Sequence, residues 1–186
     1  HDDHDDHDDH DAHDDYGLDQ HVWLDPENAK LIIDVIELEL SKLDQENSNI
    51  YKKNAISSKS KIDQLISDTK VKLHNLDDLG FIYFHDAFQY YEKRFGLKAF
   101  GAVSINVEVP PGVKRVKELR EIIKNNNVKC VFSEPQFEAK IINTIVDGTG
   151  KKVIILDPLG ANIKPNKDLY FNLINNATNS FLKCFE

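Results

Sequence analysis

Residues 79–104 read LGFIYFHDAFQYYEKRFGLKAFGAVS, and this stretch decides the fold. Residues 81–84 are a continuous apolar run of strand length. Behind them Tyr90, Tyr91 and Phe95 recur at helical spacing, and residues 99–103 form a second apolar run. The alternation continues downstream. A helix over 112–125 is opened by Pro110-Pro111, and a strand follows over 128–132. A helix over 137–146 stops at Gly148 and Gly150, a fourth strand covers 153–156, and a last helix runs over 168–184. Strands that are apolar throughout, rather than at every second residue, are covered on both faces. The pattern therefore predicts an α/β fold with a four-stranded parallel sheet flanked by helices. Sites in such sheets lie outside the carboxyl ends of the strands. That rule selects His85, Asp86, Ser104, Ser133, Glu134 and Asp157.

Upstream, HVWLDP at 21–26 places Asp25 as N-cap and Pro26 at the first helical position. The helix carries Ala29, Ile32, Ile33, Ile36 and Leu40 on one face, to about Leu43. Residues 45–75 predict a second long helix with Ile62, Leu65, Ile66 and Leu73 at helical spacing. Its remaining positions are rich in Lys, Ser and Asn, so it reads as half-exposed rather than as a core element.

Residues 1–15, HDDHDDHDDHDAHDD, hold nine Asp and five His and no Lys or Arg. This segment has almost nothing apolar to offset its ordering entropy and is expected to be disordered. It carries −9, the charge of the whole chain, so residues 16–186 sum to zero. With no basic patch, a nucleic-acid partner is not expected. No apolar run approaches the ~20 residues of a membrane-spanning helix. The 186 residues contain no Met and no charged-then-apolar export signal, so the chain is expected to be part of a longer protein. Cys130 and Cys184 are far apart and outside any CxxC pattern. That leaves a disulfide if the protein is exported, or two buried thiols if it is not.

Imidazole nitrogen and carboxylate oxygen suit Zn(II) or Mn(II). His85 and Asp157 follow the first and fourth strands on one sheet edge, and His21 is a third candidate if its segment reaches the same cleft. Taken alone, a His after a strand is more often a hydrogen-bonded loop residue, and Asp157 beside Pro158 could equally cap a turn. The tract adds separate weight: His1, His4, His7, His10 and His13 on an acidic tether can collect divalent cations. A purification tag usually lacks Asp at two of every three positions, and a solubilising tail needs no His.

HVWLDP at 21–26, FHDAF at 84–88, FSEPQF at 132–137 and LDPLG at 156–160 resemble the high-affinity zinc-uptake solute-binding proteins, the metal-binding cluster of ABC-transporter receptors. The acidic His-rich stretch ahead of HVWLDP is similar to the charged loop of the zinc members. The resemblance implies two α/β lobes joined by a long rigid helix, with metal between them. Residues 16–44 would then end the first lobe, 45–76 would be the linking helix and 77–186 the C-terminal lobe. It implies His21 and His85 as imidazole ligands and Asp157 as a carboxylate ligand, with water or another residue in its place in some members. A further His ligand from the first lobe has no counterpart here. Glu134 is implied to neighbour the cleft without ligating. Asp86 would hold the His85 tautomer or, more simply, cap a helix. The resemblance also implies a Cys130–Cys184 disulfide in an oxidising periplasm.

The function so implied is a periplasmic receptor, expected to be a monomer, that delivers Zn2+ to an ABC-transporter membrane permease. Its affinity should weaken below about pH 6 as imidazoles protonate. A manganese receptor or metal-dependent adhesin of the same fold is the alternative, although a Mn site would favour more carboxylates. A zinc hydrolase is a weaker one: no HExxH, nucleophile elbow or Gly-rich phosphate loop is present, so an enzyme is not expected.

Overall fold

A computed structural model describes residues 19–74, 76, 80–104, 111–137 and 140–186. His1, His4, His7, His10 and His13, and with them the expected disorder of the tract, lie outside these residues, as does Pro110. The chain enters through a 3-10 turn, Val22–Leu24, into helix α1, Pro26–Leu43. Asp25 is the N-cap, accepting the Glu27 amide, with Pro26 directly behind it, as the sequence predicts. The apolar face of α1 is only partly covered: Pro26 and Ala29 are buried and Ile33 packs against the core, while Ile32, Ile36 and Leu40 are exposed. Leu31, Val35, Leu38 and Leu43 are also exposed. The helix packs along α2 and leaves its other flank in solvent.

Helix α2, Ser48–Leu73, follows a short 3-10 turn at Gln45–Asn47, so the expected helix begins three residues late. It is half-exposed as expected, but it also contributes to the core, which its polar positions did not suggest. Ile62, Leu65, Ile66 and Leu73 are buried within the main core cluster, because α2 lies against α6, Leu169–Phe185.

The sheet contains β1 Gly80–His85, β2 Gly101–Ser104, β3 Val128–Ser133 and β4 Lys152–Ile155. It is parallel throughout, in the order β2-β1-β3-β4. Helices α3 Gln89–Phe95, α4 Val113–Asn125 and α5 Lys140–Val146 complete the described elements. Phe137, predicted to open α5, lies before it in a turn. Two hydrophobic clusters cover both faces of β1, β2 and β3, whereas the edge strand β4 stays largely exposed, Ile155 included, against the expectation that every strand is covered on both sides. Phe81, Tyr83 and Phe132 point to one side with Phe181 of α6, and Ile82, Phe84 and Val131 to the other with Leu119, Ile142 and Ile145 of α4 and α5. Alternation of side chains along a strand does this sorting. Cys130 in β3 and Cys184 in α6 are joined as a disulfide, fastening the sheet to its terminal helix.

Chain order reverses direction across the sheet at β1: β2 lies to one side, and β3 and β4 to the other. The carboxyl ends of β1 and β3 therefore flank a topological switch point, the crevice where α/β sheets bind ligands. His85 ends β1, and Glu134 directly follows β3.

Candidate metal centre

The register of β1 on β3 pairs Ile82 with Val131; three residues on, His85 comes beside Glu134. The contact is made: His85 Nδ1 lies 2.7 Å from Glu134 Oε1, with both side chains largely buried. A carboxylate can only accept, so the imidazole donates from Nδ1 and, when neutral, carries its lone pair at Nε2.

His21 is held in the same way from a distant part of the chain. Its Nδ1 lies 2.7 Å from Asp19 Oδ1, which also accepts the His21 backbone amide at 3.0 Å. The two imidazole centroids are 5.0 Å apart with planes inclined at 61°. Aromatic rings wall the pair: Trp23 stands 5.3 Å from His21, and Phe137 stands 6.3 Å from His85 and stacks on Phe84. Each imidazole is thus an Nε2 donor oriented by a carboxylate, the arrangement that metal-ligating histidines adopt.

Asp157 is engaged elsewhere. Its Oδ1 accepts the Gln136 side-chain amide and the backbone amides of Leu159 and Gly160, and its Oδ2 accepts Ala161 N at 2.6 Å. It organises the 157–161 loop, in which Gly160 takes a left-handed φ of 71°. Among the described residues no three His, Cys, Asp or Glu side chains gather around a common point as ligands would. The structure brings the two histidines together and leaves Asp157 as the organiser of the adjoining loop.

Asp86 neither holds the His85 tautomer nor caps the next helix. Glu134 occupies the first role, and Phe88 is the N-cap residue of α3, with no side-chain bond. Asp86 Oδ2 accepts Gln89 Nε2 at 2.8 Å instead. Burial raises its pKa above the ordinary carboxylate range; the Gln89 bond opposes this, the charge of Asp19 adds to it, and the two imidazoles oppose it weakly. Beside it, a cavity of about 350 Å³ is lined by Asp86, Gln89, Glu92, Lys93 and their neighbours. Burial pushes the Glu92 carboxyl up to about 7, although the Ala99 amide donates to it and the buried Tyr83 hydroxyl adjoins it.

Asp19 is the residue that sequence reasoning missed. Its signal was available in the Asp-x-His spacing immediately ahead of the apolar turn.

Comparison with known proteins gives first the class. The solved structures sharing this fold include the laminin-binding protein Lmb of Streptococcus agalactiae, described as bifunctional with adhesin and metal-transporting activity. That match has 34% identity and a TM-score of 0.80, covering 90% of this chain and 65% of that one. A crystal structure of ZnuA matches at 28% identity and a TM-score of 0.77, covering 89% of this chain and 62% of that one. The fold is the one these two proteins share over the matched part. The chain belongs to the ZnuA family, zinc-uptake complex component A periplasmic, whose profile matches residues 1–184. The high-affinity zinc uptake system protein ZnuA of Brucella abortus is 44% identical over 166 residues, 89% of this chain and 50% of its own length. The chain thus spans about half the length of the curated relatives it matches.

Proposed function

We propose that this chain is the C-terminal part of a high-affinity zinc receptor that hands Zn(II) to the membrane permease of an ABC importer. In this reading His21 and His85 bind the ion through Nε2, with Asp19 and Glu134 behind them. Asp157 completes the sphere where its loop lets Oδ2 turn to the metal, and water takes its place otherwise. Zinc is the cargo, the compartment is the periplasm, the receptor acts as a monomer, and no catalytic step is involved. Residues 1–15 collect zinc loosely for the tight site. Residues 16–44 continue from a first lobe, 45–76 link the lobes and 77–186 form the second lobe.

The observation that supports this best is the pair of imidazoles at the switch point, each backed at Nδ1 by a carboxylate. Neutral nitrogen donors favour Zn(II) over Mn(II), through both donor type and the Irving–Williams order. The test is a competition titration against a zinc chelator on the full chain and on His21→Ala and His85→Ala. Each variant should lose more than the roughly 100-fold that marks loss of an outer-sphere partner. Affinity retained in both variants would overturn the assignment. Removing residues 1–15 should lower total zinc stoichiometry and leave the tight site unchanged.

A second reading, a metal-dependent adhesin, draws support from the laminin-binding neighbour of the same fold. Binding to immobilised laminin, with and without zinc, separates it from a receptor dedicated to transport.

A further inference from the structure

The turn that carries His21 is tied to the α/β body by three long-range contacts. Asp25, only 8% exposed, receives the Arg94 guanidinium as a fork: Nε to Oδ1 at 2.8 Å and Nη2 to Oδ2 at 2.9 Å. The Trp23 indole donates to the Pro158 carbonyl at 2.9 Å, in the loop that Asp157 organises. The Tyr170 hydroxyl donates to the Trp23 carbonyl at 2.9 Å. Between them Leu24 is fully buried in the same cluster as Phe81 and Ile174. These partners sit on α3, on the loop after β4 and on α6, at sequence separations of 69, 135 and 147 residues. Three anchors on three elements fix a short turn in position and in rotation. The Arg94 fork adds the directional rigidity of a bidentate, charge-assisted pair.

We infer that Arg94, Trp23 and Tyr170 are positioning residues that make the His21 turn a working part of the β1–β3 body, so that His21 and His85 form one preassembled imidazole pair. The inference rests on the zinc reading above and deepens it. Because these anchors join the His21 turn to the β1–β3 body, the turn moves with the second lobe although residues 16–44 continue from the first. Metal capture begins on this pair, and any further ligand joins an ion already held by two bonds. The cost of ordering the two imidazoles is met at folding rather than at binding, which raises affinity without adding a contact. The same anchors connect the Asp157 loop mechanically to His21, because Trp23 binds the carbonyl of the residue that follows Asp157.

The test uses Tyr170→Phe and Arg94→Gln in the full chain, with His21→Ala and His85→Ala as references. Readouts are zinc affinity, the visible spectrum of bound Co(II), and emission from Trp23, the one tryptophan of the chain. Zinc should change Trp23 emission in the parent chain, since the His21 ring is 5.3 Å away. Each latch variant should bind zinc about tenfold more weakly, as outer-sphere losses do. Each should also alter the Co(II) spectrum, which a purely structural contact leaves alone. Tyr170→Phe keeps its ring in place and serves if Arg94→Gln fails to fold. Histidine variants that lose zinc beside latch variants with parent affinity and spectrum would overturn this inference alone. Histidine variants that keep zinc would overturn the zinc reading and this inference with it.

Discussion

Replacing Glu134 tests the centre most directly. Its Oε1 sits 2.7 Å from His85 Nδ1, and its side chain is only 5% exposed, so solvent offers little substitute. In Glu134→Ala the His85 Nδ1–H loses its acceptor and the ring loses its bias toward the Nε2 donor form. Outer-sphere losses of this kind reduce metal affinity by about 10–100-fold, or roughly 1.4–2.7 kcal/mol. Glu134→Gln separates shape from charge. Its carbonyl still accepts from Nδ1, but a neutral hydrogen bond replaces a charge-assisted one at a difference of about 1 kcal/mol, near fivefold. If the amide flips, its NH2 faces Nδ1 and selects the tautomer that cannot ligate, and the loss approaches that of alanine. The assay is competition with a chromophoric zinc chelator at one fixed pH, with circular dichroism to establish that each variant is folded. The expected order of affinity is Glu, then Gln, then Ala. A folded Glu134→Ala variant with unchanged zinc affinity would refute the idea that Glu134 prepares His85 for the metal.

Asp19→Ala should release the His21 ring; long-range 15N NMR of the zinc-free protein should then show a tautomer mixture where the parent shows the Nδ1–H form, and zinc affinity should fall about tenfold. Replacing Cys130 and Cys184 together by Ser opens a loop of sequence separation 54, for which the chain-entropy model gives about 4 kcal/mol. With a typical urea slope of about 2 kcal/mol/M, the unfolding midpoint should drop by about 2 M. Glu92 supplies a pH test. Its folded-state pKa of about 7 lies above the ordinary 4.5, so in that window the folded protein holds a proton that the unfolded chain releases. Stability is therefore lost as pH rises through the window, by on the order of 3 kcal/mol. Glu92→Gln should flatten this dependence and be the more stable protein at about pH 8, with little difference at about pH 5; equal slopes for the two proteins in urea titrations would contradict the burial argument.

The sheet was legible because its strands are mostly apolar rather than alternating, with Lys129 of β3 the break within a strand, a signal that needs no long-range information. Much of the crevice followed from it, since His85 and Glu134 are simply the residues where β1 and β3 end. Local adjacency misled at Asp86. Successive residues of an extended chain face opposite sides, so the neighbour of His85 in sequence is not its neighbour in space; the residue across the register is. Helix α2 read as half-exposed and outside the core because its polar positions outnumber its apolar ones, yet one narrow stripe carries Ile62, Leu65, Ile66 and Leu73 into the core. The meeting of His21 with His85 followed from family likeness rather than from the residues themselves. The contacts that bring it about, through Arg94, Pro158 and Tyr170, join segments whose separation leaves no periodic trace.

The disulfide has a further consequence for the chemistry of exchange. Sulfur is the softest donor a protein offers zinc, and a free cysteinate near the crevice would compete with imidazole for each arriving ion. Both cysteines of the chain are consumed in the Cys130–Cys184 bond, and no free one is left among the described residues. These described residues therefore offer a metal ion nitrogen and oxygen alone, donors from which an ion can be taken again, as the proposed receptor role requires.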